Sequence, residues 1–381
     1  MRLVDALGLY IHWPYCARIC PYCDFNVYRP KGLDEQLLAA VLKDMEGWRE
    51  RTGPRRLTSL HLGGGTPSLL SPASLQRMID TADRIWGFEP DAEIGLEANP
   101  NDLAHFDAYA SVGINRLSIG VQSFDAEALQ RLGRNHSAEE AERAVAAALA
   151  AVDQVSLDLI YAWHGQTLEH WRGELEKAAQ TGVGHVSPYQ LTIESGTAFG
   201  KRVARGDKLA LEPDDAADFY DMTDAVLAEA GFERYEISNH ARTQAAQSTH
   251  NRLYWEGGDW IGVGPGAHGR LGRFCMDGRI ATEAARRPAD YIAGVERSGW
   301  GVGTHERLSA DDERTERVLM GLRIASGLDM DRVEAITGLG IDAGECHRMI
   351  ELGYLVRDGK DLRLTPEGQV LGDAVSMALI P

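Results

Sequence analysis

Cysteine, positive charge and long apolar runs are all scarce in this sequence of 381 residues. The five cysteines are odd in number, and three of them lie between residues 16 and 23, unlike the evenly spread cysteines of a disulfide-stabilised extracellular protein. There is no run of about 18 apolar residues, and the opening MRLVDALGLYIHW has no basic segment before an apolar core. Neither a membrane span nor a secretion signal is therefore predicted, and a cytoplasmic location is expected.

The shortage of basic residues excludes a large class of functions. Lys and Arg number 39 against 57 Asp and Glu, which gives a formal net charge of −18. Broad nucleic-acid binding depends on basic side chains that displace counterions from phosphates, so no nucleic-acid partner is predicted. The same charge opposes binding to anionic lipids, so any peripheral membrane association would go through a protein partner.

Short apolar runs alternate with amphipathic stretches from residue 8 to about 194, which is typical of βα units around a parallel sheet. Six strands are predicted, at Leu9–His12, Leu57–Leu62, Ala92–Ala98, Arg116–Val121, Val155–Tyr161 and His185–Leu191. One intervening helix begins with Ser137 and Glu140 at the spacing of a capping box. The fold class is therefore α/β, with an incomplete (β/α)6 barrel of the TIM type whose functional groups gather at the C-terminal ends of the strands.

Beyond this barrel, predicted for residues 1–194, the pattern changes twice. Residues 195–304 are predicted as a mixed α+β extension that contains a Gly- and Trp-rich segment. Residues 305–381 are predicted as a small winged-helix-like module, with three helical stretches and a hairpin that turns at Asp358-Gly359. Because that module carries 15 acidic and 9 basic residues, it is expected to pack or dock rather than to bind DNA.

Cys16, Cys20 and Cys23 are close together in the loop after the first predicted strand, where Pro14 and Pro21 disfavour a helix. Iron–sulfur clusters are normally held by four cysteines, so three thiolates leave one iron open to a cofactor or substrate. The three cysteines are therefore interpreted as ligands of an iron–sulfur cluster. The alternatives are a structural zinc site with His12 as fourth ligand and a chance grouping of cysteines.

The run YIHWPYCARICPYCDF resembles the signature loop of the radical S-adenosylmethionine (SAM) superfamily. More narrowly, it resembles the branch that contains the oxygen-independent coproporphyrinogen oxidases and the HemW-type haem chaperones. This resemblance implies a [4Fe–4S] cluster that reduces bound SAM to methionine and a 5′-deoxyadenosyl radical. It also implies an electron donor such as a flavodoxin-type protein. Whether the radical is used catalytically, and whether the chain forms a homodimer, stay open.

Polar and glycine residues that follow the successive strands resemble the superfamily's SAM contacts. In Gly63-Gly64-Gly65-Thr66-Pro67, consecutive glycines allow a backbone to approach a ligand closely. Arg134 matches the arginine that pairs with the carboxylate of SAM. The contacts that the resemblance implies are Tyr10, Tyr22, Gly64, Gly65, Thr66, Glu97, Gln122, Arg134 and Asp158.

Two departures separate the chain from the decarboxylase branch. The decarboxylases have a fourth cysteine where this chain has Phe25, and a long N-terminal arm that the residues before Cys16 do not match. Conversely, HNRLYW at 250–255 resembles the H-N-x-x-Y-W segment of the HemW-type chaperones. The resemblance therefore implies a chaperone that binds haem and delivers it to respiratory membrane enzymes. Coproporphyrinogen III decarboxylation, radical methylation or opening of a porphyrin ring, and a purely structural iron–sulfur protein are the alternatives.

The HNRLYW segment supplies the candidates for haem binding. His250 is predicted to ligate the iron while Tyr254 and Trp255 cover the porphyrin, and a packed aromatic loop with a hydrogen-bonded histidine is the other interpretation. His268 and Cys275 are further candidates, either for a second ligand or for part of the cofactor pocket.

The loop after the fifth predicted strand departs from its relatives in another way. Ala162-Trp163-His164 stands where relatives commonly show Gly-Leu-Pro. The shape of that loop stays open, whereas the cofactor assignment does not depend on it.

Overall fold

Alternating apolar residues and capped amphipathic helices define the elements of the computed structural model, which describes residues 6–272 and 278–381. The strands are β1 Leu7–Trp13, β2 Leu57–Gly64, β3 Phe88–Ala98, β4 Arg116–Gln122, β5 Gln154–Tyr161, β6 His185–Gln190, β7 Glu233–Glu236, β8 Asn239–Ala241, β9 Asp259–Val263, β10 His268–Leu271, β11 Ile280–Ala284, β12 Val302–Arg307, β13 Leu328–Asp329, β14 Leu355–Asp358 and β15 Asp361–Leu364. The helices are α1 Asp34–Thr52, α2 Pro72–Trp86, α3 Phe106–Ser111, α4 Ala126–Arg131, α5 Ala138–Ala151, α6 Leu168–Gln180, α7 Ala198–Val203, α8 Pro213–Glu229, α9 Thr249–Trp255, α10 Pro288–Ser298, α11 Ala310–Gly321, α12 Met330–Thr337, α13 Ala343–Glu351, α14 Pro366–Val370 and α15 Gly372–Ala378.

Strands β1 to β6 are parallel neighbours in chain order, which confirms the predicted incomplete barrel. Residues on a strand alternate between its two faces. Leu9 and Ile11 are fully buried in a core that includes Leu37 and Val41 of α1. The alternate residues of these strands are mostly small, polar or charged and face the interior of the barrel, here called the lumen. The strands thus pack apolar side chains against the surrounding helices and present polar side chains to the lumen.

The predicted extension adds strands to both edges of the same sheet. On one edge β9 pairs in parallel with β1, and β10, β11 and β12 continue the sheet in antiparallel fashion. On the other edge β8 and β7 follow β6. The sheet therefore has twelve strands among the described residues, six more than the barrel prediction counted.

The C-terminal residues form a three-stranded sheet in the order β13-β15-β14, packed with helices around a separate core that includes Val318, Leu355 and Leu362. The hairpin from β14 to β15 turns at Gly359, whose φ of 60° suits glycine. Three helices, α11 to α13, precede the hairpin, as the sequence predicted.

Helix α5 begins at the predicted capping box. The amide of Glu140 donates to Ser137 Oγ at 3.2 Å, and the Ser137 amide donates to Glu140 Oε2 at 2.8 Å. Across the described ranges, no helix has both the length and the apolar character that crossing a membrane would require.

Candidate cofactor site

A cavity of about 360 Å³ opens at the C-terminal ends of the parallel strands. Parallel strands place these ends along one edge, where loop residues from different units converge. The structure brings almost all of the predicted site residues to its wall: Cys16, Cys20, Tyr22, Cys23, Gly64, Gly65, Thr66, Glu97, Gln122, Arg134 and Asp158. Tyr10 lies elsewhere, deeper in the lumen, where its hydroxyl is 2.9 Å from His12 Nδ1.

The cysteine loop is tied down at its base, with Cys16 N–H donating to Tyr28 O at 3.0 Å. Burial raises the pKa of the Cys23 thiol to about 11, and burial likewise raises the pKa of Cys16. Neighbouring cysteine charges act in the same direction, so three thiolates coexist here only with compensating positive charge. The donor set therefore fits an iron–sulfur cluster.

A single metal ion fits this donor set less well. Within residues 6–272 and 278–381, no three His, Cys, Asp or Glu side chains are grouped closely enough to hold one ion. In a cluster, each thiolate binds a different iron, so the sulfurs need not converge on one point.

Arg134 joins the cysteine loop to the cavity wall. Its Nη1 donates to Cys20 Sγ at 3.3 Å, while Nη2 donates to Asn99 Oδ1 at 2.7 Å and to Gly120 O at 2.9 Å. Its Nε is a buried donor with no hydrogen-bond partner in the part of the chain that the structure describes. The guanidinium thus places a positive charge within hydrogen-bonding distance of the Cys20 sulfur.

The glycines of the Gly63–Pro67 segment are required by contacts with the protein itself. Gly64 has a φ of +107°, and a Cβ there would collide with the ring of His12. A Cβ on Gly65 would lie 2.7 Å from Tyr15 O, and the Gly65 and Thr66 amides donate to Trp13 O and Tyr15 O. The segment therefore packs directly against the cysteine loop, a contact that sequence reasoning about ligand approach did not predict.

Glu97 and Asp158 are two carboxylates with opposite electrostatics. Burial favours protonation of Glu97, but hydrogen bonds from His61 Nε2 at 3.3 Å and the Gly64 amide at 3.1 Å outweigh it, so its pKa lies below the usual value. Burial, together with the charge of Glu97, raises the pKa of Asp158 to about 7, although Ser118 Oγ donates to it at 3.1 Å. One carboxylate is thus ionised at neutral pH while the other titrates there.

Two residues other than glycine adopt left-handed backbone conformations at the ends of cavity strands. Gln122 has a φ of 68° at the end of β4, and Ala162 has a φ of 62° directly after β5. Such conformations cost energy and often mark functional sites. Ala162 therefore gives the loop after β5 a backbone conformation that glycine adopts more readily than alanine.

Sequence reasoning missed several cavity residues, including Asn99, Ser118 and Tyr189. Two of them carry a signal in the sequence: Asn99 follows Glu97 by two positions, and Ser118 alternates along β4 with apolar residues. In the structure Ser118 Oγ donates to Asp158 Oδ2 at 3.1 Å. Phe25, which stands in place of the decarboxylases' fourth cysteine, lines the cavity with 61% of its surface exposed.

The structure gives His250 a setting unlike that of a haem ligand. Its side chain is buried, with Nδ1 3.0 Å from Ser59 Oγ and Nε2 2.6 Å from the Tyr254 hydroxyl. Burial holds its pKa well below the ordinary value, so the ring is neutral. Both ring nitrogens are thus engaged with protein groups, and His250 presents no free nitrogen to an iron in this conformation.

The other haem candidates lie on different elements, with Trp255 at the end of α9 and His268 at the start of β10. Trp255 is partly buried beneath the guanidinium of Arg323, 4.8 Å from its ring centroid. His268 opens β10 with 57% of its side chain exposed. Cys275 lies outside the described residues.

Comparisons with known proteins agree with this geometry. The radical SAM superfamily profile matches residues 10–178, and the HemN C-terminal domain profile matches residues 308–371. The chain is 36% identical to the mouse protein "Radical S-adenosyl methionine domain-containing protein 1, mitochondrial", over 98% of this chain and 87% of that protein. It is 35% identical to "Heme chaperone HemW" of Mycobacterium tuberculosis, over 98% of this chain and 94% of that protein.

The fold also has a solved counterpart in the coproporphyrinogen III oxidase HemN of Escherichia coli, a radical SAM enzyme. The two align with a TM-score of 0.82 and 23% identity, over 99% of this chain and 90% of that one. This likeness shows the fold alone. The radical SAM match implies a [4Fe–4S] cluster and S-adenosylmethionine as cofactors, and the cysteine set and cavity fit both. The chain therefore belongs to the radical SAM superfamily, within the HemN-like family that includes the proteins named HemW.

Proposed function

We propose that this chain is a haem chaperone, which binds haem and delivers it to respiratory haem proteins. The observation that carries the proposal is the similarity over nearly the full chain to proteins named as haem chaperones. Phe25 supports it, because a large exposed aromatic side chain stands where the decarboxylases have cysteine. A cytoplasmic location and a flavodoxin-type electron donor belong to the same proposal.

Within this function, Cys16, Cys20 and Cys23 hold the cluster, which supplies electrons to SAM when both are bound. Arg134 keeps positive charge beside Cys20 and faces the cavity, where it can pair with the carboxylate of SAM. Glu97, ionised at neutral pH, and Asp158 offer acceptors for the ribose hydroxyls. Tyr22 and Gln122 complete the wall of the SAM cavity. Tyr10 lies below that wall and contacts His12.

For the haem iron, His268 is a better candidate ligand than His250. It is exposed, and it follows the loop after β9, which is parallel to β1 and so ends at the edge that carries the cysteine loop. Asn26 Nδ2 donates to Pro265 O at 2.9 Å and joins the two loops. Exposed imidazole next to the cluster face suits a haem that is bound transiently and passed on.

Haem titration of the reconstituted protein tests this proposal. The Soret band of the unsubstituted chain should saturate at a fixed stoichiometry, and bound haem should transfer to an apo respiratory haem protein. His268→Ala should shift the Soret band and weaken haem affinity at least tenfold, whereas His347→Ala, at another exposed histidine, should change neither. Absence of saturable haem binding would overturn the function, and an unchanged spectrum in His268→Ala would overturn the ligand assignment alone.

A further inference from the structure

The lower part of the lumen contains a polar network that neither the cluster nor the haem proposal uses. Because side chains alternate along a strand, Ser59 and His61 of β2 and Glu93 and Glu97 of β3 all point inward. Glu97 is at the cavity wall, while Ser59 and Glu93 are buried below it. The network therefore connects the cofactor cavity with the floor of the barrel.

The N-terminus of α9 closes that floor. Glu93 accepts hydrogen bonds from the Thr249 amide at 2.9 Å, the His250 amide at 3.0 Å and Ser248 Oγ at 3.2 Å. It is also paired with Arg116 Nε at 2.7 Å. These contacts satisfy amides at the start of the helix, so the HNRLYW segment is anchored inside the barrel rather than presented on its surface.

His250 then fixes the ring of His61. The two imidazoles stack with centroids 4.8 Å apart and planes 13° apart. The His250 ring is itself held at both nitrogens, by Ser59 and Tyr254. His61 Nε2, on the opposite side of the network, lies 3.3 Å from Glu97 Oε1. His250 therefore contacts a residue that contacts the cavity carboxylate.

We propose that His61 is a positioning residue for Glu97, and that His250 acts through His61, so that the HNRLYW segment orients a SAM-binding carboxylate from below. This inference rests on the proposed SAM site. It gives the segment a role that its buried histidine can perform without any change of conformation. The His61 ring is oriented by its hydrogen bond to Glu97 and by stacking, and His250 is the nearer of its two stacked rings, because the Tyr10 centroid lies 6.3 Å away rather than 4.8 Å.

Binding of SAM to the cluster-loaded protein separates the hydrogen bond from the packing. His61→Phe keeps a flat ring on His250 but removes the donor, and should raise the Kd for SAM about tenfold, the scale of one hydrogen bond to a charged group. His61→Gln restores a donor and should stay within about threefold of the unsubstituted chain. The change that SAM causes in the electron paramagnetic resonance spectrum of the reduced cluster should be attenuated in the first variant and retained in the second.

His250→Ala and a double substitution test the indirect route. His250→Ala should weaken SAM binding on its own, yet it should add nothing in the His61→Phe background, because its effect passes through His61. His240→Gln is the matched control, since His240 of β8 is also a buried histidine but contacts Asp224, with Nε2 2.9 Å from Oδ1. It should leave SAM affinity unchanged.

The outcomes are distinguishable. Equal SAM affinity in the unsubstituted chain and His61→Phe, with the thermal midpoint lowered or not, would overturn the positioning role. Independent, additive effects of His61→Phe and His250→Ala would overturn the indirect route. Failure of the unsubstituted, cluster-loaded chain to bind SAM would instead contradict the proposed cofactor site itself.

Discussion

The mouth and the floor of the same barrel use polar residues in opposite ways. At the mouth, Arg134 has an unpartnered Nε among the described residues, Asp158 has a pKa near 7, and Gln122 has a strained backbone. At the floor, Glu93 and Arg116 are paired with each other and with surrounding groups. The mouth is thus built to receive a ligand, whereas the floor is built to stay closed.

This difference teaches that a motif's residue types do not reveal which of the two regions it serves. HNRLYW has the histidine and aromatics of a haem pocket, yet its histidine lies in the closed floor. The cysteine loop lies at the mouth for a different reason, because it directly follows the C-terminal end of a parallel strand. Position along a strand decides the role more than residue type does.

The largest expected effect concerns the mouth alone. Cys23→Ser should reduce the iron content of anaerobically reconstituted protein from about four per chain to near zero, because the remaining two thiolates do not hold a cluster. Cys346→Ser should keep full iron content, since that buried thiol lies in the C-terminal core. Iron and sulfide analysis checks both, and full iron content in Cys23→Ser would contradict the assignment of the cysteine loop.

The floor should respond through stability instead. Glu93→Gln leaves the buried charge of Arg116 without its partner and weakens the cap of α9, so we expect a loss of about 3 kcal/mol in the free energy of unfolding. Glu46→Gln, in an exposed pair with Arg84, should cost far less, because solvent screens that pair. Urea unfolding measures both losses. Equal losses would mean that the Glu93–Arg116 pair at the floor contributes no more to stability than an exposed pair.

The titration of Asp158 sharpens the contrast through pH. Its pKa is raised on folding, so the folded chain binds the proton more tightly than the unfolded chain, and stability falls as pH rises toward about 7. Between pH 6 and pH 8 this group should remove about 1 kcal/mol. Asp158→Asn should not lose this stability. Urea unfolding at pH 6 and pH 8 gives the free energy of unfolding of both proteins, and a difference between them that does not change with pH would show that the Asp158 carboxyl titrates normally.

The smallest expected effect concerns backbone strain at the mouth. Ala162→Gly should stabilise the fold by about 0.5–1 kcal/mol. Glycine removes the strain of the left-handed backbone at a φ of 62°, and the greater entropy of glycine in the unfolded chain offsets only part of that gain. Ala146→Gly, at an exposed position inside α5, should destabilise by about 1 kcal/mol. Changes of opposite sign in the free energy of unfolding would show that the backbone at Ala162 is strained. Destabilisation by both substitutions would contradict that strain.

The sequence predicted what periodicity and strand order determine. The six parallel strands and the capping box of α5 follow from local patterns, and the cavity residues follow from strand ends and the superfamily resemblance. The pairing of β9 with β1 could not be predicted, because Asp259–Val263 is a short strand whose partner lies some 250 residues earlier. The burial of His250 depends on Glu93 and Ser59, which are also remote in sequence.

The central claim is that a radical SAM cavity here serves a haem chaperone rather than a coproporphyrinogen decarboxylase. The direct test combines the anaerobically reconstituted chain with a reductant, SAM and coproporphyrinogen III, and quantifies protoporphyrinogen IX and 5′-deoxyadenosine in the same sample. We predict no protoporphyrinogen IX from a preparation that binds SAM and haem. Protoporphyrinogen IX that accumulates in step with 5′-deoxyadenosine would contradict the account and identify a decarboxylase.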